Sequence, residues 1–167
     1  MKIFVDIGAW IALAEKNDQY HEDAQRLYSI IQKKNISILI RNYVFDETVT
    51  WLHYKAGHGV ACKWGNNILN SSMVEMFTVD NTHIKKAWKL FQKYHDQQFS
   101  FTDCISFVAM NLFDINTVFG YDSHFATMNF QLIRVESDGV QTDNLDLRVF
   151  GKKARYEKNP ALMKSDS

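Results

Sequence analysis

Residues 99–125, FSFTDCISFVAMNLFDINTVFGYDSHF, decide how this chain is read. Ser100 and Thr102 are both residue types that cap helices, and Asp103 falls in the first turn of an apolar segment, residues 105–110, that reads as a buried helix. A carboxylate is favourable there, at the positive end of the helix dipole. The β-prone run at residues 117–121 then ends on Asp122, and Ser123 with His124 starts another helical turn. In an α/β fold with parallel strands, strand carboxyl ends and the amino ends of the following helices share one sheet edge, where ligands bind. Asp103 and Asp122 are therefore expected to meet at that edge.

The chain before this stretch repeats the arrangement. Residues 2–6 (KIFVD) read as a short apolar strand that stops on a carboxylate, with Gly8 turning the chain into a small helix at residues 9–15. After the break at Asn17 and Asp18, an amphipathic helix spans residues 21–34, with Ala24, Leu27, Tyr28 and Ile31 on its apolar face. A second strand at residues 36–40 leads through Arg41 and Asn42 into a helix at residues 44–54, where Val44, Thr48, Trp51 and Leu52 face the core and Glu47 lies on or beside the same face. A glutamate among core-facing residues is costly unless paired, protonated or metal-bound, which makes Glu47 a further candidate; the bland alternative is a solvated residue at the edge of the stripe. A helix at residues 60–69, a strand at 74–79 and a helix at 82–94 lead to the central stretch, which a short helix at 124–128 and a strand at 131–135 follow. This order predicts an α/β fold with a central, mostly parallel β-sheet and helices on both faces.

With 167 residues, 46% of them hydrophobic and 23% charged, one soluble globular domain with a real core is expected. The 19 basic and 19 acidic residues balance, so any nucleic-acid binding has to come from a local patch. Cys62 and Cys104 stand in no paired spacing, which points to a reduced, cytoplasmic setting and to core or half-buried positions for both. Asp6 interrupts the apolar N-terminal run and no cleavage site follows it, so a signal peptide is not the reading, and no segment approaches a membrane span. From Glu136 onward polar residues dominate. The domain is therefore expected at 1–135, with 136–167 a partly loose C-terminal appendage in which Leu145, Leu147 and Val149 alternate as an edge strand would.

Four acids, Asp6, Glu47, Asp103 and Asp122, stand where chain geometry could gather them. Two carboxylates about 4 Å apart repel by about 4 kcal/mol at an effective dielectric of roughly 20, so such an assembly needs a cation. Mg²⁺ or Mn²⁺ answers that need with oxygen ligands and retained waters, and phosphodiester hydrolysis is the matching chemistry. On this view Asp103→Asn relieves repulsion and raises stability in metal-free buffer.

The segments FVDIGAW at 4–10, NYVFDET at 42–48, SFTDC at 100–104 and YDSHF at 121–125, with NDQYH at 17–21 as the loop into the second helix, resemble the PIN-domain nucleases and among them the VapC-like ribonuclease toxins. The resemblance spans residues 3 to 135 and excludes the tail. It implies a divalent-metal-dependent endoribonuclease acting on RNA, with Asp6, Glu47, Asp103 and Asp122 as its catalytic and metal-binding residues. It also implies a toxin with an antitoxin protein as partner, and a homodimer. Many members carry Ser or Thr two residues after the first Asp; Gly8 stands there, so a hydroxyl that could orient water or metal is absent. That departure and the neutral net charge leave open an alternative, a catalytically inactive PIN-like nucleic-acid or protein-binding module.

Other residues have simpler readings. Asp46 points away from Glu47 into solvent, Asp114 forms a turn, Thr102 is an N-cap before it is anything else, and His124 is a turn histidine that could contact phosphate. His58 and Cys62 have zinc-like i, i+4 spacing without a second pair. Lys33, Lys34, Arg41, Lys55 and Lys63 are scattered candidates for RNA contact, and Arg148, Lys152, Lys153, Arg155 and Lys158 form a denser run, read first as a solvated face.

Overall fold

The first strand, β1 (Lys2–Val5), buries Ile3, Phe4 and Val5 completely, which a central strand can do only when both faces of its sheet are covered. A computed structural model of the chain describes residues 1–135 and the strand at 147–150. After β1 come α1 (Ile7–Ala14), α2 (His21–Lys33), β2 (Ser37–Arg41), α3 (Asn42–Ala56), α4 (His58–Leu69), β3 (Val74–Phe77), α5 (Asn81–Lys93), α6 (Phe101–Leu112), β4 (Thr117–Phe119), α7 (His124–Thr127), β5 (Gln131–Val135) and β6 (Leu147–Phe150). The sheet order is β3-β2-β1-β4-β5-β6; the first five strands are parallel and β6 lies antiparallel on β5. Phe4 is in register with Leu39 on one side and Val118 on the other.

Because successive side chains on a strand point to opposite faces, the core divides in two. Phe4, Leu39 and Val118 pack with Leu90 of α5, Phe107 of α6 and Phe125 of α7. Ile3, Val5, Ile38, Ile40 and Phe119 pack with Trp10 of α1, Leu27 of α2, Val44 of α3 and Ile68 of α4. Each large side chain buried in this way is worth about 2 kcal/mol. The α/β architecture, its mostly parallel sheet and the order of its elements are those the sequence predicts.

The differences are local and have physical causes. Gly8 lies inside α1, which starts immediately after Asp6, so strand passes to helix without a glycine turn. Gly57, at φ +95°, alone breaks α3 from α4, and the second helix begins at His58. Ser100 caps α6, which places Thr102 within the first turn and corrects its reading as an N-cap. β4 ends at Phe119, so Asp122 sits three residues beyond the strand rather than on its end. Cys104 is buried as expected, whereas Cys62 is exposed. Leu145 and the basic run at Lys152, Lys153, Arg155 and Lys158 lie outside the described residues, as does most of the expected appendage. No helix among the described residues is long and apolar enough to cross a membrane.

Candidate metal centre

The acids gather at the carboxyl edge of the sheet because strands end and helices begin there. Asp6 follows β1 and is the N-cap position of α1; its N–H donates to the Phe119 carbonyl at 3.0 Å, which ties it to the end of β4. Asp103 is held by a reciprocal capping box: its N–H donates to Ser100 Oγ at 3.0 Å, and its Oδ2 accepts from the Ser100 N–H at 2.7 Å. Asp122 Oδ1 accepts from the His124 N–H at 2.8 Å. His124 Nδ1 lies 3.1 Å from Asp103 Oδ2 and 3.3 Å from Asp122 Oδ1. One donor atom each from Asp103, Asp122 and His124 therefore falls within 4.8 Å of the others, and among the described residues no other His, Cys, Asp or Glu trio is close enough to hold an ion. Two carboxylates and an imidazole are a donor set that fits a divalent cation. His124, read from the sequence as a turn residue, faces both acids.

Asp6 and Glu47 stand beside this trio rather than in it. Burial raises the Asp6 carboxyl to about 6; Arg41 and the N–H groups of Ile7 and Gly8 oppose the rise without closing a cap hydrogen bond, and Asp103 adds to it. Burial also raises Glu47, with Arg41 pulling it down and Asp46 pushing it up. Glu47 lines an open recess of about 380 Å³ with Ile7, Asp46, Thr50, Trp51 and Tyr54; Asp46 is the more exposed of the two acids.

Arg41, among the scattered candidates for RNA contact that the sequence offers, is instead buried: its side chain is 0% exposed and its Nη2 lies 4.0 Å from Asp6 Oδ1. None of its three guanidinium nitrogens has a hydrogen-bond partner among the described residues. Burial lowers its pKa, and the charges of Asp6, Glu47 and Asp103 act in the opposite direction. The signal lay in its position: it is the last residue of a strand, SILIR, whose three preceding residues are all buried.

Two further features shape the pocket. A Cβ on Gly120 would stand 3.1 Å from Asp6 Cβ, so glycine lets the exit of β4 pass this close. Tyr121 stacks on Tyr20 with centroids 4.0 Å apart and planes 5° from parallel, and its hydroxyl donates to Asp23 Oδ2 at 3.0 Å. The Arg134 guanidinium lies 4.7 Å from the Tyr121 ring centroid, and its Nη1 donates to the Gly120 carbonyl at 2.6 Å. These contacts hold the loop that carries Asp122. Burial, with Asp103 nearby, pushes the Cys104 thiol up to about 11, which makes it a packing residue and not a nucleophile. His58 Nε2 and Cys62 Sγ are 3.3 Å apart but have no third ligand among the described residues.

Residues 3–131 match the PIN domain. The chain belongs to the PIN-domain family. It is 30% identical over 134 residues to the 23S rRNA-specific endonuclease VapC20 of Mycobacterium tuberculosis, a match covering 80% of this chain and 99% of that protein. A VapC ribonuclease of Archaeoglobus fulgidus is 26% identical over 128 residues, covering 75% of this chain and 80% of the other. The crystal structure of Mycobacterium tuberculosis VapC20, a Sarcin-Ricin loop cleaving toxin, matches with a TM-score of 0.70 at 29% identity, over 79% of this chain and 98% of that one. The helices and parallel strands that position the acids all lie within or at the border of the PIN match.

Proposed function

We propose that this PIN domain is a divalent-metal-dependent endoribonuclease. The observation that carries the reading is the convergence of Asp103, Asp122 and His124 within 4.8 Å, beside the half-buried Asp6 and Glu47, at the carboxyl edge of a parallel sheet. Asp103 and Asp122 hold the ion, Asp6 stands beside it against Arg41, and Glu47 tunes the site from α3. When bound, Mg²⁺ or Mn²⁺ supplies a water of lowered pKa and neutralises charge on the scissile phosphate. The chain's own part is placement: the capping box fixes the Asp103 carboxylate, and the Tyr20–Tyr121–Arg134 stack fixes the loop of Asp122. RNA as substrate class is supported by the names of the VapC relatives. The toxin relative supports a toxin role here as well; an antitoxin protein as partner, a homodimer as assembly and the cytoplasm as location are the further parts of this reading, which the family resemblance implies. The nuclease unit is residues 1–135, a boundary supported by a PIN match that ends at residue 131, and 136–167 is its appendage.

RNA incubated with the protein in Mg²⁺ or Mn²⁺ should be cut, EDTA should stop the reaction, and Asp103→Asn should slow it at least about a hundredfold, the upper end of what losing even an outer-shell partner costs. Undiminished cleavage by Asp103→Asn would defeat the reading. One observation favours the alternative of a binding module: Arg41 already places a cation in the pocket. RNA binding without cleavage in every divalent metal tried would select it.

A further inference from the structure

Arg41 is the sole fully buried charged side chain among the described residues. A buried guanidinium left without hydrogen bonds is expensive, since its five N–H donors lose water and gain nothing in return. All three of its nitrogens are in that state, so its compensation is charge: Asp6 at 4.0 Å, with Glu47 and Asp103 also acting on it. Nor is it a mobile surface arginine. It ends β2 in register with Phe77 of β3, with Leu39 and Ile40 buried before it, so packing holds it beside Asp6.

Charge counting gives this position a consequence. Four ionised carboxylates and one guanidinium leave the pocket at a formal −3, one divalent ion brings it to −1, and a second would make it positive with two like charges side by side. Without Arg41, two divalent ions would balance the four carboxylates. We propose that Arg41 is a resident cation of this pocket, which neutralises its Asp6 side and limits the PIN domain to one divalent ion, held on the side of Asp103, Asp122 and His124. The inference rests on the reading of the pocket as a metal site and specifies how many ions it takes and why. Arg41 acts as a positioning residue: it sets where the cation sits without itself being a ligand.

The test is Mn²⁺ binding by calorimetry and by electron paramagnetic resonance at pH 8, on wild type, Arg41→Gln and Arg41→Lys. Wild type should take one Mn²⁺ per chain. Arg41→Gln should take a second, or bind the first at least about tenfold more tightly because a like charge has been removed. Arg41→Lys, which keeps the charge, should keep the wild-type number. Metal-free Arg41→Gln should also melt below wild type and recover more on adding Mn²⁺. Should Arg41→Gln fail to fold, the wild-type stoichiometry still decides, because two Mn²⁺ per chain overturns the proposal. Unchanged stoichiometry and affinity in a folded Arg41→Gln overturns it too, while leaving the nuclease reading intact if wild type binds Mn²⁺ and cuts RNA. A wild type that neither binds Mn²⁺ nor cuts RNA defeats both.

Discussion

At Asp6, burial and the nearby Asp103 work against ionisation while Arg41 works for it, and the balance leaves the carboxyl at about 6, against an ordinary 3.8. Because the folded value lies above the unfolded one, the native state binds more protons between the two. The Asp6 contribution is therefore fully present below about pH 4 and declines as pH rises through about 6, a loss of about 3 kcal/mol in metal-free protein. Asp6→Asn should abolish that decline, matching wild type near pH 4 and exceeding it by up to about 3 kcal/mol at pH 8. Urea denaturation in EDTA at several pH values checks this; curves of wild type and variant that stay parallel would contradict it. The gain expected from Asp103→Asn is opposed by what the substitution weakens, because Asp103 accepts from the Ser100 N–H and faces His124 in charge-assisted contacts. Asp103 and Asp122 were legible in the sequence because each lies beside a local signal, a helix cap or a strand exit. Arg41 was not, since burial of a charge depends on distant neighbours, and neither was Gly120, whose need for glycine comes from its approach to Asp6.

At the scale of elements, the alternation of strands and helix pairs was legible because apolar strands and amphipathic helices carry different periods. Boundaries were less so where a tertiary partner decides them. β4 stops at Phe119, whose carbonyl accepts from Asp6 N–H, because past that point β1 has turned into α1 and offers no edge to pair with. The loop that follows is then held by side chains: Tyr20 and Tyr121 stacked, Asp23 on the tyrosine hydroxyl, and Arg134 bridging the Tyr121 face to the Gly120 carbonyl. Arg134→Ala should lower stability by about 2 kcal/mol, the worth of a charge-assisted hydrogen bond. It should also weaken Mn²⁺ binding about tenfold, as loss of an outer-shell support does. A variant with the stability loss but unaltered Mn²⁺ affinity would show that the stack serves the fold and not the site.

For the whole molecule, five parallel strands flanked by helices bring Asp103, Asp122 and His124 together at one sheet edge, with Asp6, Glu47 and Arg41 beside them. The fold class was legible from the element order, and the meeting of Asp103 with Asp122 from the rule that such sheets bind at their strand exits. The chemistry of the pocket follows from its excess of negative charge, only part of which Arg41 offsets. Crystals soaked in Mn²⁺ and measured at the manganese absorption edge test this most directly. The predicted result is an anomalous peak in the pocket, coordinated by Asp103 and Asp122, with the Arg41 guanidinium still in place beside Asp6. No peak there at saturating Mn²⁺, in protein shown to be folded, would contradict the metal centre and the nuclease function built on it.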